Sequence, residues 1–325
     1  MIAHQFKRTL GRSNISVSGL GLGCWAIGGP FWKGSTPVGW SKVDDGESIR
    51  AIQRGLELGI TFFDTADIYG CGHSERVLGQ ALAGKHDQVV IATKFGQTFD
   101  ESTKQGTGND LTPEYIHRAC DASLKRLNID AIDLYQMHVK EVDLTQAKVV
   151  RDALEELVTA GKIRWYGWST DDAASARVFA EGAHCAAIQQ RLNIFEGDSA
   201  TLDVCAEFNL ASIDRSPLGM GLLTGKFTTA TKFPDDDVRI RRFDFTKETG
   251  AQLEKLAKIQ SILTQDGRSL AQAALGWLWA RSEKTIPIPG FKTVAQVEEN
   301  AGALRYGALS ADQMAQIATL VSSKE

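Results

Sequence analysis

A repeating alternation narrows the folds open to this chain more than any other feature. Short apolar, β-rich runs stand at 20–24, 61–64, 89–94, 132–138, 163–169, 186–191, 211–214 and 285–287, each bounded by polar residues or Gly, as strands buried on both faces should be. Helical patterns lie between them. Ile116, Cys120, Leu124 and Leu127 form one apolar stripe, and Val150, Leu154, Leu157 and Val158 form another. Capping signals mark helix starts at Ser74–Glu75, at Thr112–Glu114 with Pro113 in the first turn, and at Asp171–Asp172. No linker rich in Pro, Gly or Ser interrupts the series, so the alternation predicts one α/β domain over 1–325, a (β/α)8 TIM-type barrel. The surplus reads as an N-terminal β-hairpin at 6–17, long polar loops at 96–111 and 218–245, and a terminal helix at 310–323. Both loops follow a strand, which puts them on the C-terminal face where barrel active sites sit.

Composition removes several functions. With 36 Lys+Arg against 40 Asp+Glu, the formal charge of −4 lacks the basic excess that nucleic acid or an anionic membrane requires. The 5 cysteines are scattered without a C-x-x-C pair, which predicts reduced core thiols and no metal site. The stretch 1–17 has no cationic start followed by an apolar run, and nothing approaches the roughly 18 apolar residues of a membrane span. A cytoplasmic protein is expected.

Four titratable residues fall at the ends of three successive runs: Asp64, Tyr69 five residues beyond it, Lys94 and His138. Singly, each has a plain structural role: a helix cap, a packing ring, a snorkelling amine, a satisfied core imidazole. A barrel would gather them at one mouth. There a phenol with an ordinary pKa near 10 becomes a usable acid if an ammonium stabilises its phenolate and a carboxylate keeps that ammonium charged. This is general acid chemistry on a carbonyl oxygen.

The same residues carry a resemblance. The run 59–70 (Gly-Ile-Thr-Phe-Phe-Asp-Thr-Ala-Asp-Ile-Tyr-Gly), followed by Ser74-Glu75 and Leu78-Gly79, resembles the first signature of the aldo-keto reductase family; 122–127, 132–138 and 161–169 resemble later ones. The resemblance implies the barrel, an NADP cofactor (NADPH when reduced) bound without a Rossmann domain, and the tetrad Asp64, Tyr69, Lys94 and His138. Segments 21–29 and 286–290 are similar to the bacterial and channel-subunit-like branches. The pattern G-x-G-x-x-A at 21–26 matches a dinucleotide fingerprint only loosely, because Gly28-Gly29-Pro30 follow where a helix should open. Trp25 reads instead as a wall of the pocket at the barrel mouth.

By the same resemblance, Trp25 and Asp64 border the cofactor, while Ser169 and Gln189 hold the carboxamide. Thr170 stands where the family usually has Asn, and capping by Ser169 or Thr170 is an alternative. Arg215 occupies the place of a stacking Tyr, or else pairs with Asp214 or another acid. The small-residue loop with Ser216, Leu218, Gly219 and Lys226 suits a pyrophosphate, and Gly290, Lys292 and Gln296 open a helix suited to a 2′-phosphate. Gln296 replaces a commoner Arg, no acid stands where it would select the bare ribose, and Glu299 and Asn300 would face the adenine. The acidic run 235–237 beside Arg239, Arg241 and Arg242 reads as a solvated loop, with a lid as the lesser alternative. The expected activity is hydride transfer between nicotinamide and an aldehyde, ketone or sugar carbonyl, with Tyr69 as acid. Alternatives are a sugar (aldose) 1-dehydrogenase, a redox-sensing NADP-binding subunit, and an aldolase or isomerase with Lys94 as Schiff-base nucleophile. The expected partner is a small carbonyl or sugar. Neither an individual substrate nor an oligomeric state is legible.

Overall fold

A computed structural model describes residues 6–322. Eight parallel strands form one sheet: β1 (Gly21–Gly23), β2 (Phe62–Asp64), β3 (Val90–Phe95), β4 (Ile132–Met137), β5 (Ile163–Ser169), β6 (Cys185–Arg191), β7 (Ala211–Arg215) and β8 (Thr285–Pro287). Each hydrogen-bonds to its neighbour in chain order. Closure comes just beyond β8, where the Gly23 N–H donates to the Pro289 carbonyl at 3.0 Å and Gly23 bridges Gly290. A Cβ at Gly23 would lie 2.7 Å from the Ile288 oxygen, so the seam requires glycine there.

Helices α1 (Asp45–Glu57), α2 (His73–Ala81), α3 (Pro113–Leu127), α4 (Leu144–Thr159), α5 (Ala173–Ala180), α6 (Ala200–Glu207), α7 (Glu248–Leu263), α8 (Leu270–Arg281), α9 (Val294–Gly302) and α10 (Ala311–Ser322) surround the sheet. Two apolar layers result. Phe62, Leu134, Ile213 and Ile286 fill the barrel interior with Leu10 and Val17, which the N-terminal hairpin (Lys7–Thr9 with Ser16–Ser18) inserts from the strand N-termini. Phe63, Ile91, Leu154 and Trp168 belong to the larger cluster beneath the helices. All five cysteines are buried and free, and burial raises their thiol pKa values, as core thiols should behave. Among the described residues no helix is long and apolar enough to cross a membrane.

Three local expectations fail. Residues 96–111 are not an irregular loop: Gln97–Asp100 and Gln105–Asn109 pair antiparallel, and Trp32 of a second short hairpin pairs with Gln105, so the polar backbone is satisfied by strands. Segment 218–245 is not simply polar either. Phe227, Phe233, Phe243 and Phe245 pack on one another at 5.3–6.2 Å between ring centres. At α2 the cap is Gly72 rather than Ser74, whose hydroxyl is committed to the Cys24 carbonyl and Thr65. Thr112 and Asp172 do cap α3 and α5. The terminal helix is found at Ala311–Ser322; Ser323, with 1–5 of the N-terminal stretch, lies outside the described residues.

Candidate active site

Strand register gathers the polar residues on one level. Gly23 pairs with Asp64, Lys94 with Gln136 and Ser169 with Gln189. Lys94 is fully buried, and its ammonium donates to Asp64 Oδ1 at 2.5 Å, the Thr65 carbonyl at 2.8 Å and the Tyr69 hydroxyl at 3.3 Å. All three of its protons are therefore used. The other oxygen of Asp64 accepts from Gln136 at 3.0 Å and Gln189 at 2.8 Å. Gln136 is absent from the residues expected by sequence. Its signal is the period of two: Gln136 precedes His138 by two positions and so shares its face of the chain.

Tyr69 sits in the tight connection from β2 to α2. Gly70 there has φ +59, and a Cβ on it would come within 1.9 Å of the Gly28 oxygen, so this loop is locked against the turn at 26–28. Trp25 stacks on the phenol at 6.0 Å and His138 meets it edge-on at 5.7 Å. Burial raises the Tyr69 pKa, and the pull of Lys94 in the other direction does not cancel it. The expected net lowering of the phenol is thus corrected: desolvation outweighs the ammonium, and Tyr69 is held in its protonated, donor form. Burial works against the charge of Lys94 too, but Asp64 and Tyr69 overcome it and hold that pKa above the usual lysine value. Burial, then Lys94, Arg215, Lys33 and Lys140, push His138 well below the ordinary imidazole value, so it is neutral.

A cavity of about 610 Å³ opens over the phenol, a size suited to small molecules. Of the sequence-named residues, Trp25, Asp64, Tyr69, His138, Ser169, Gln189, Arg215, Ser216, Leu218, Lys226, Gly290, Lys292, Gln296, Glu299 and Asn300 line it. Lys94 lies behind Tyr69, and Gly219 does not reach the lining. Neither Ser169 nor Thr170 caps a helix; Thr170 instead accepts from the Asp172 N–H, and Asp172 caps α5. Arg215 pairs with Asp171, while Asp214 takes the Ser212 hydroxyl at 2.7 Å. Ser216 and Met220 both have positive φ, the kind of backbone strain that marks ligand loops. Lys226 reaches Glu299 at 3.4 Å, and the buried Asn300 amide nitrogen has no hydrogen-bond partner among the described residues.

The start of α9 differs from expectation. Gln296 accepts from the Lys292 N–H at 2.7 Å, and Glu47 of α1 accepts from the Val294 N–H at 2.9 Å. Glu47 reaches this helix start from an element remote in sequence but does not line the cavity, so it does not stand where it would select a ribose. The Lys292 ammonium donates to the Ser41 carbonyl at 2.9 Å and lies 5.8 Å from the Trp40 ring. The 235–237 run is solvated only in part: Asp235, Arg241 and Arg242 are exposed as expected, but Asp237 is not. Asp237 is fully buried and grips Arg239 through both oxygens at 2.8 and 2.9 Å, and the guanidinium sits between Trp40 and Phe233 at 4.7 and 4.5 Å. The Val238 N–H donates to the Gly39 carbonyl, which docks the segment over the cavity. A buried carboxylate needs a charged partner, and Arg239 provides it.

This barrel and its polar mouth have counterparts among known proteins. The family model described as aldo/keto reductase family matches residues 19–322. The aldo-keto reductase yakc [NADP(+)] of Schizosaccharomyces pombe is 33% identical over 300 residues, 90% of this chain and 85% of that protein. The glycerol dehydrogenase AKR11B4 of Gluconobacter oxydans superposes with a TM-score of 0.84 at 30% identity, covering 97% of this chain and 95% of that one. An aldo-keto reductase from Klebsiella pneumoniae, solved in complex with NADPH, superposes with a TM-score of 0.72 at 25% identity, over 99% and 97% of the two chains.

Proposed function

The chain belongs to the aldo/keto reductase family, and from that premise we propose that it is an NADP-dependent oxidoreductase acting on an aldehyde, ketone or sugar carbonyl, with Tyr69 as the general acid. The observation that carries this reading is the buried line from Asp64 through the Lys94 ammonium to the Tyr69 hydroxyl, which ends at the cavity beside a neutral His138.

The lining fits the cofactor. Asn300 offers an unpartnered buried amide to an adenine, Lys226 and the strained 216–221 backbone suit a pyrophosphate, Lys292 and Arg239 flank Trp40 where a 2′-phosphate would find two cations, and Ser169 and Arg215 reach the nicotinamide end. Bound there, NADPH supplies a hydride to a carbonyl carbon. Tyr69 gives its proton to the carbonyl oxygen, and Lys94 stabilises the phenolate left behind without having to move. Asp64, held by Gln136 and Gln189, keeps the ammonium charged and aimed. His138, uncharged, donates a hydrogen bond that orients the carbonyl without competing for the proton. The same groups run in reverse for oxidation, the direction named for the Gluconobacter relative. A Schiff-base role for Lys94 is disfavoured because an amine buried between a carboxylate, a carbonyl and a phenol stays protonated and unreactive.

We also read the whole chain as one barrel domain working in a reducing compartment, which the five free buried thiols support. NADPH consumption across aldehydes, ketones and aldoses, with NADP reduction assayed on the matching alcohols and aldoses, tests the activity. Turnover with several carbonyls is expected; NADPH binding without turnover of any would leave a binding subunit instead.

A further inference from the structure

We infer that the mouth of the cavity selects carbonyl substrates bearing an anionic oxygen group, a carboxylate or a phosphate monoester, and that Lys140 and Arg242 are its selecting residues. This rests on the carbonyl-reducing reading and narrows its substrate.

Nine Lys or Arg side chains line the cavity against two acids, Asp64 and Glu299, in a chain whose formal charge is −4. Both acids are already matched, by Lys94 and Lys226. Three of the nine cations, Lys226, Lys292 and Arg239, surround the positions assigned to cofactor phosphates. The other six, Lys33, Lys140, Arg191, Arg215, Arg241 and Arg242, lie away from those phosphates, with Arg215 also reaching the nicotinamide end. They come from separate elements: the Trp32–Lys33 strand, the segment after β4, the ends of β6 and β7, and the docked 218–245 segment.

Their charges are poorly balanced. Asp171 serves Arg215 and, at 3.9 Å, Lys140; Glu196 holds Arg191 at 3.1 Å; Lys33 donates to the neutral Gln97 amide oxygen at 3.0 Å and has no acid within 4.0 Å among the described residues. Among the described residues, neither Arg241 nor Arg242 has an ion-pair partner within 4.0 Å. Burial and the neighbouring arginines hold the Lys140 pKa below the usual lysine value despite Asp171, and Arg242 is pushed down by burial and then by Arg191, with Glu196 opposing them incompletely. Like charges gathered from separate elements and only partly matched by Asp171 and Glu196 disfavour the ligand-free state, and an anion in their midst relieves that repulsion. The mouth is also near the chemistry: Lys33, Lys140 and Arg215 all act electrostatically on His138, and Lys140 is two residues beyond it. An anionic tail can therefore rest among these cations while the carbonyl meets Tyr69. The tail takes no part in the reaction; the carbonyl gains a hydride at carbon and a proton at oxygen, and the product keeps the same charged group.

The test compares kcat/KM with NADPH for two matched pairs, butanal against succinic semialdehyde and glyceraldehyde against glyceraldehyde 3-phosphate, the first pair probing carboxylate and the second phosphate. The charged member of at least one pair should be favoured roughly tenfold or more at low ionic strength, and the preference should shrink with added salt. Lys140→Met and Arg242→Ala should each cut that preference several-fold while the Kd for NADPH stays within about twofold. Equal values within both pairs overturn the inference and leave carbonyl reduction standing. A preference that survives both substitutions, or a fall in NADPH affinity in its place, assigns these cations elsewhere and overturns it too. Inactivity with all four compounds contradicts the carbonyl-reducing reading itself, and the inference with it.

Discussion

In the proposed mechanism one oxygen of Tyr69 does the chemistry and its neighbours set its readiness. Tyr69→Phe removes that oxygen and little else, so kcat should fall by roughly 10²–10⁴ while NADPH binding is nearly unchanged; near-full turnover would remove Tyr69 from the mechanism. Lys94→Met keeps much of the stem but strands Asp64 among two amides in the barrel, and should cost activity and about 3–5 kcal/mol of stability in denaturant titration. His138 sets an acid limit. Its pKa is depressed in the folded chain, so below the ordinary value near 6.5 the unfolded chain binds the extra proton and the folded one does not. Stability is thus full above about pH 6.5 and declines as pH falls, by up to roughly 1.4 kcal/mol per pH unit; a His138→Asn variant should show a shallower decline of Tm over the same range. The meeting of Asp64, Tyr69, Lys94 and His138 was legible in sequence because they are chemically distinctive types at or just beyond strand ends. Gln136 and the net rise of the Tyr69 pKa were not, since an amide within an apolar run looks like any core strand residue, and the extent of burial follows from packing.

Among the elements, the eight strands were readable because short apolar runs separated by amphipathic helices suit strands covered on both faces and little else. The hairpin at 97–109 was not: its residues are polar and glycine-rich, and its partner strand at Trp32 lies far earlier in the chain. The 218–245 segment hid its order in the same way, behind a run of charges of which the fold buries Asp237. Asp237, Arg239, Trp40 and Phe233 make that order specific. Arg239→Ala should leave Asp237 unpaired, loosen the segment and lower NADPH affinity about tenfold, with a smaller change in kcat because Tyr69 is untouched. Fluorescence titration with NADPH checks this; unchanged affinity would show that the segment does not cover the cofactor.

For the molecule as a whole, barrel closure at Gly23 and Gly290 brings residues from Trp25 to Asn300 around one cavity, which no local segment could assemble. Glu47 illustrates what only the closed fold reveals: α1 carries a carboxylate to the start of α9, from the opposite end of the chain. Everything proposed for this cavity depends on hydride passing directly between the nicotinamide and a carbonyl carbon. The decisive measurement follows deuterium from NADPH labelled at C4, on one face and then on the other, into the alcohol formed from a reducible aldehyde. Direct transfer predicts one deuterium on the carbinol carbon, from one labelled face alone, for each NADPH oxidised; an alcohol free of deuterium with both labels would contradict it.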